Sequence, residues 1–174
     1  GDVYKRQRYS PSQFIKSPVV TEFLGLGKDT DFTESDLETS LITHLQQFLL
    51  ELGKGYAFVE RQQHIVTDTD DYYIDLVFYN YLMRCFVLID LKTTRLTHQD
   101  VGQMDMYIRM YDELKRNDGD NPTIGILLCA ETSKDIARYS VLNGSSQLFA
   151  SKYLTCLPND CLLYTSDAAD ERSR

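Results

Sequence analysis

Asp75, Asp90 and Lys92 fall within one stretch of strand-like sequence, YYIDLVFYN followed after a short turn by RCFVLIDLK. A carboxylate interrupts the first apolar run, and an Asp-x-Lys triplet closes the second. Side chains alternate across a strand, so Asp90 and Lys92 share one face while Leu91 points into the opposite layer. An antiparallel pairing of the two runs would bring Asp75 beside them. Charges in strands this apolar cost on the order of several kcal/mol if left unpaired, so two carboxylates and a lysine point to a bound divalent cation. The chemistry such a group supports is metal-assisted hydrolysis of a phosphodiester. The simpler alternative is an ion pair of Asp90 with Lys92 at a strand end.

The elements that must position these residues are legible on either side. Leu37, Leu41, Leu45, Phe48, Leu49 and Leu52 recur at helical spacing from Thr33, and Gly53 and Gly55 supply a stop. Ser35-x-x-Glu38 has capping-box form, which gives Glu38 a structural reading at the helix start. Tyr56 to Val66 reads as a first strand, Asp68 to Asp71 as a polar turn, and Cys85 to Ile89 as a central strand covered on both faces. A second helix carries Val101, Met104, Ile108 and Tyr111 as its inward stripe, with Thr97-x-x-Asp100 as its cap. Gln103 and Tyr107 border that stripe one turn apart. Thr123 to Ala130 reads as another apolar strand, Ser133 to Leu142 as a third helix, and Gln147 to Leu154 as a late edge strand.

At 174 residues and 43% hydrophobic content the chain supports one α/β domain with a real core. The net charge of −8 argues against a protein that coats nucleic acid non-specifically, yet it is compatible with a nuclease whose acidic ligands await a cation. Cys85, Cys129, Cys156 and Cys161 form no CxxC pair, which argues against a zinc ribbon or a disulfide scaffold. No run approaches the roughly 20 apolar residues of a membrane span, and no signal peptide opens the sequence, so the expected location is the cytoplasm. Residues 1–7 and 161–174 read as translated adapter sequence. DVYKRQ is encoded by GATGTGTATAAGAGACAG, and the reverse complement of that string encodes CLLYT at Cys161 to Thr165. Residues 8–32, with Pro11, Pro18, Gly25 and Gly27, read as a linker or N-terminal extension, and 33–160 as the domain.

The order helix, three strands, helix, strand, with acids on the second and third strands and a lysine two after the second acid, resembles the PD-(D/E)XK nuclease superfamily. The blocks FLLELGKGYAFVERQ, YYIDLVFYN, RCFVLIDLK, GQMDMY and NPTIGILLC look like the YhcG-type PDDEXK nuclease domain, over roughly Pro18 to Pro158. The resemblance implies a restriction-endonuclease-like αβββαβ core, a central mixed sheet flanked by helices. It implies that Asp75, Asp90 and the backbone carbonyl of Leu91 hold Mg²⁺ or Mn²⁺, and that Lys92 orients or helps deprotonate the attacking water. Glu38 matches an acid that such nucleases direct at the metal. Gln103-x-x-x-Tyr107 matches a helix motif that supports the site and contacts nucleic acid. Asp90 departs from the glutamate more common at its position. Arg61, Arg84, Arg95 and Arg109 are candidate phosphate contacts, and His98 is the one histidine near enough in sequence to the Asp-x-Lys strand to test.

Two readings follow. One is a metal-dependent DNA endonuclease domain, acting on duplex, branched or otherwise structured DNA, with an N-terminal module of a longer protein and a second copy of the chain as further partners. The other is a non-catalytic nucleic-acid-binding or protein-interaction module on the same fold.

Overall fold

The computed structural model describes residues 33–43, 49 and 52–152; the expected stripe positions Leu45 and Phe48, the 8–32 segment, the strand's last residues 153 and 154, and both terminal segments lie outside them. Helix α1 (Glu34–Thr43) is followed by β1 (Tyr56–Val66), β2 (Asp71–Asn80), β3 (Cys85–Arg95), α2 (His98–Leu114), β4 (Ile124–Glu131), α3 (Lys134–Tyr139) and β5 (Leu148–Lys152). The strands form one mixed sheet in the order β1-β2-β3-β4-β5, antiparallel from β1 to β3 and parallel from β3 to β5. The expected α/β core is therefore present. Among the described residues no helix is long and apolar enough to cross a membrane.

The uninterrupted apolar run of β3 is explained by its place at the centre of the sheet. Val87, Ile89 and Leu91 join Leu37 of α1, Leu76, Phe78, Ile126 and Leu128 in one core cluster. Leu88 belongs to a second cluster with Val77, Leu127, Cys129 and the α2 stripe of Val101, Met104, Ile108 and Tyr111. Cys85 and Cys129 are buried in the two clusters, and the Cys129 thiol donates to the Ser151 carbonyl at 3.8 Å.

Local signals set the two ends that matter most. The β2–β3 turn is organised by Asn80, whose Oδ1 accepts the Leu82 and Met83 N–H groups, both at 3.0 Å, while its Nδ2 donates to the Lys54 carbonyl at 2.9 Å. At the start of α2, Thr97 and Asp100 form the expected capping box. The start of α1 differs from expectation. Thr33 Oγ1 accepts the Asp36 N–H at 3.1 Å and Asp36 Oδ2 accepts the Thr33 N–H at 3.0 Å, so the box begins two residues before Ser35. Ser35 lies inside the helix, and Glu38 is left for other work. The third helix is shorter than its sequence pattern, because Ser140 takes an extended backbone and its hydroxyl donates back to the Ile136 carbonyl.

Helix α2 sits close on β4 because Gly125 has no side chain. A β-carbon there would lie 2.6 Å from Met104 Sδ and 2.7 Å from Ile108 Cδ1, closer than carbon atoms tolerate. Gly125→Val should therefore lower the unfolding free energy by about 1–3 kcal/mol, read as a fall in the urea midpoint. An unchanged midpoint would contradict this seating of the helix.

Candidate active site

The β2–β3 ladder runs from Asn80 opposite Cys85 to Leu76 opposite Ile89 and stops. Asp75 and Asp90 are the next residues on each strand. Where backbone carbonyls would otherwise continue the pairing, carboxylates take over: the Asp75 N–H donates to Asp90 Oδ1 at 3.3 Å, and the Leu91 N–H donates to Asp75 Oδ2 at 2.9 Å. The N–H and C=O of one strand residue face the same edge, so the Leu91 carbonyl is also turned toward the gap between the strands. The Leu91 side chain lies in the core shared with α1.

Asp90 is only 4% exposed. Burial, and then the charge of Asp75, push its carboxyl up to about 7. Asp75 is also raised, by burial first, although the Leu91 N–H and Gln62 work against the rise. Two acids thus face each other with too little positive charge to keep both comfortably ionised.

Lys92 and α2 complete one side. Lys92 Nζ lies 3.5 Å from Asp100 Oδ1, the same residue whose other oxygen caps α2. Burial alone would lower the lysine's pKa, but Asp100, Glu34, Asp90 and Asp75 together outweigh it and hold the ammonium charged. Tyr107 is buried, edge-on to Tyr72 with ring centroids 6.2 Å apart. Burial, then the charges of Asp90 and Asp75, raise its phenol to about 12, and Gln103 hydrogen-bonds to it from the exposed side of the helix. The helix pair expected to border the inward stripe is therefore split, with Tyr107 inside it and Gln103 outside.

Glu38 projects from α1 into the other side and is 6% exposed. Arg61 Nε donates to its Oε1 at 2.8 Å, and Gln62 Nε2 donates to its Oε2 at 2.5 Å. Gln62 Nε2 also donates to Asp75 Oδ1 at 3.0 Å. Sequence reading placed Glu38 at the site but found neither Gln62 nor the pairing of Arg61. Asp100 was read as a cap alone. The remaining candidates are engaged elsewhere: Arg95 pairs with Glu131 at 2.8 Å, Arg109 with Asp105 at 3.1 Å, and Arg84 donates to the Gly119 carbonyl at 2.9 Å. His98 is exposed at the first residue of α2. His64 Nε2 lies 2.8 Å from Asp71 Oδ1, and the ring stacks on Tyr73, ring centroids 4.6 Å apart.

Among the described residues no cluster of three or more His, Cys, Asp or Glu side chains is arranged to hold a metal ion. Glu38 is engaged by Arg61 and Gln62. Two carboxylates and a backbone carbonyl nonetheless fit a hard cation that keeps several waters, and their raised pKa values mark the positive charge they lack.

Residues 12–166 match the YhcG PDDEXK nuclease domain family. YhcG of Escherichia coli (strain K12) is 40% identical over 150 residues, which cover 86% of this chain, and the chain spans only 40% of that protein's length. Among solved structures, the EndoMS–dsDNA2 complex has a TM-score of 0.51 at 18% identity, covering 75% of this chain and 48% of that one, a likeness of fold. A repair endonuclease from Pyrococcus abyssi has a TM-score of 0.47 at 14% identity, covering 75% of this chain and 50% of that one.

With divalent cations chelated, the facing acids should weaken the fold as pH rises. The folded-state pKa of Asp90 lies above its unfolded value, so its contribution is fully favourable below about 4 and is lost as pH climbs toward about 7. Asp90→Asn should then match the wild type at pH 5 more closely than at pH 8, where it should be the more stable by about 1–2 kcal/mol. Urea unfolding in EDTA at the two pH values checks this; a gap that shrinks as pH rises would contradict it.

Proposed function

The chain belongs to the YhcG PDDEXK nuclease domain family, and from that membership we propose that it is a divalent-metal-dependent DNA endonuclease domain. The observation that carries the reading is the facing of Asp75 and Asp90 at the end of the β2–β3 ladder, with a charged Lys92 beside them. Asp75, Asp90 and the Leu91 carbonyl would hold Mg²⁺ or Mn²⁺. When bound, such an ion supplies electrostatic polarisation of the phosphodiester and lowers the pKa of water in the site.

The chain's own residues do the rest. Lys92, beside the two acids and close to Asp100, would orient or help deprotonate the attacking water and stabilise negative charge developing on the phosphate. Tyr107, its phenol kept protonated, would support the site from α2, and Gln103, on the exposed side of that helix, would contact nucleic acid. Among the described residues Arg95 pairs with Glu131, and an exposed pair of this kind contributes little, so the guanidinium would be available to a phosphate when a strand arrives. Duplex DNA, the molecule in the EndoMS complex, is the first substrate to test, with branched forms after it. Because the chain spans less than half of its relative, the rest of the longer protein, and a second copy of the domain, would take part in choosing the substrate.

Asp75→Asn, Asp90→Asn and Lys92→Ala should each reduce Mg²⁺-dependent cleavage by about a hundredfold or more while leaving the circular dichroism spectrum unchanged. EDTA should abolish cleavage by the wild type. Cleavage that survives all three substitutions, or the chelator, would sink the reading.

A further inference from the structure

Gln62 is one of two non-glycine residues with positive φ among those described, at +47°, and it lies within β1 rather than in a turn. Left-handed backbone in a side-chain-bearing residue is strained, and it persists where the surroundings impose it. The β1–β2 register passes from Arg61 opposite Leu76 to Gln63 opposite Ile74, which sets Gln62 against Asp75. Its single amide nitrogen donates to Glu38 Oε2 at 2.5 Å and to Asp75 Oδ1 at 3.0 Å. Ionised carboxylates only accept, so both partners require the nitrogen, not the oxygen, on this side. The other oxygen of Glu38 is fixed by Arg61. A chain of contacts therefore runs from α1 through Glu38 and Gln62 to Asp75, and from Asp75 to the Leu91 N–H on the central strand.

We propose that Gln62 is a positioning residue: Glu38 orients its amide, and the amide aims the Asp75 carboxylate at the cation site. Glu38 thus acts on the site through Gln62 and does not itself ligate the ion. The proposal rests on the nuclease reading above. The strained conformation is the one in which the amide sits between two acids that belong to different elements.

Two substitutions separate positioning from support of the fold. Gln62→Gly removes the amide but suits the positive φ, so the thermal midpoint should hold or rise. Gln62→Asn keeps an amide and tolerates the left-handed backbone, but it is one methylene too short to reach both acids. The measurement is calorimetric titration of the chain with Mn²⁺ in the absence of nucleic acid, beside thermal unfolding of the same samples. Both variants should bind Mn²⁺ about tenfold more weakly than the wild type. Wild-type binding with unchanged affinity in both variants, whatever their midpoints, overturns the positioning role alone. A wild type that takes up no Mn²⁺ overturns the nuclease reading and this proposal with it.

Discussion

Asp75 and Asp90 are placed where two antiparallel strands stop pairing, and the consequences of that placement reach most of the molecule. The ladder has just ended, so the N–H groups of Asp75 and Leu91 have no carbonyl across from them, and the carboxylates accept them instead. Each acid therefore meets a structural demand of the backbone while being held against a like charge. Buried polar groups without partners are costly, and here the same oxygens both satisfy the sheet and create an unbalanced negative centre. The strain of facing acids is concentrated where a cation would relieve it.

The rest of the architecture can be understood as walls for that centre. The apolar length of β3 buries the strand on both faces and so keeps Asp90 dry. Helix α2 is seated close on β4 by the missing side chain at Gly125, where Met104 and Ile108 pack, and its cap residue Asp100 turns an oxygen to Lys92. Helix α1 contributes from the other layer through Glu38. Polar connections thus reach the two acids from both helical layers, while the apolar clusters hold those layers on the sheet.

How much of this could be read from the chain depends on whether the signal was local. Strand alternation and antiparallel pairing put Asp75, Asp90 and Lys92 together from sequence alone, and Thr97-x-x-Asp100 capped its helix as written. The α1 cap was misread because two box patterns overlap. Ser35-x-x-Glu38 competes with Thr33-x-x-Asp36, and the earlier pair captures the helix start because Glu38 is better satisfied by Arg61, 23 residues away. Gln62 was invisible for a similar reason. Nothing in its neighbourhood announces a left-handed backbone, which is imposed by partners on α1 and β2. Ser140 ended α3 early through a hydroxyl contact that helical periodicity does not register.

The Asn80 turn has a consequence for how such a centre can change over generations. Pairing is counted outward from this turn, Asn80 against Cys85 and on to Leu76 against Ile89, so the location of the two acids is a fixed number of steps from the hairpin tip. Adding or losing a single step on either arm would turn every following side chain to the opposite face and send an acid into the apolar layers. The hairpin therefore works as a ratchet with a stride of two residues: its arm length is locked to the site it measures out.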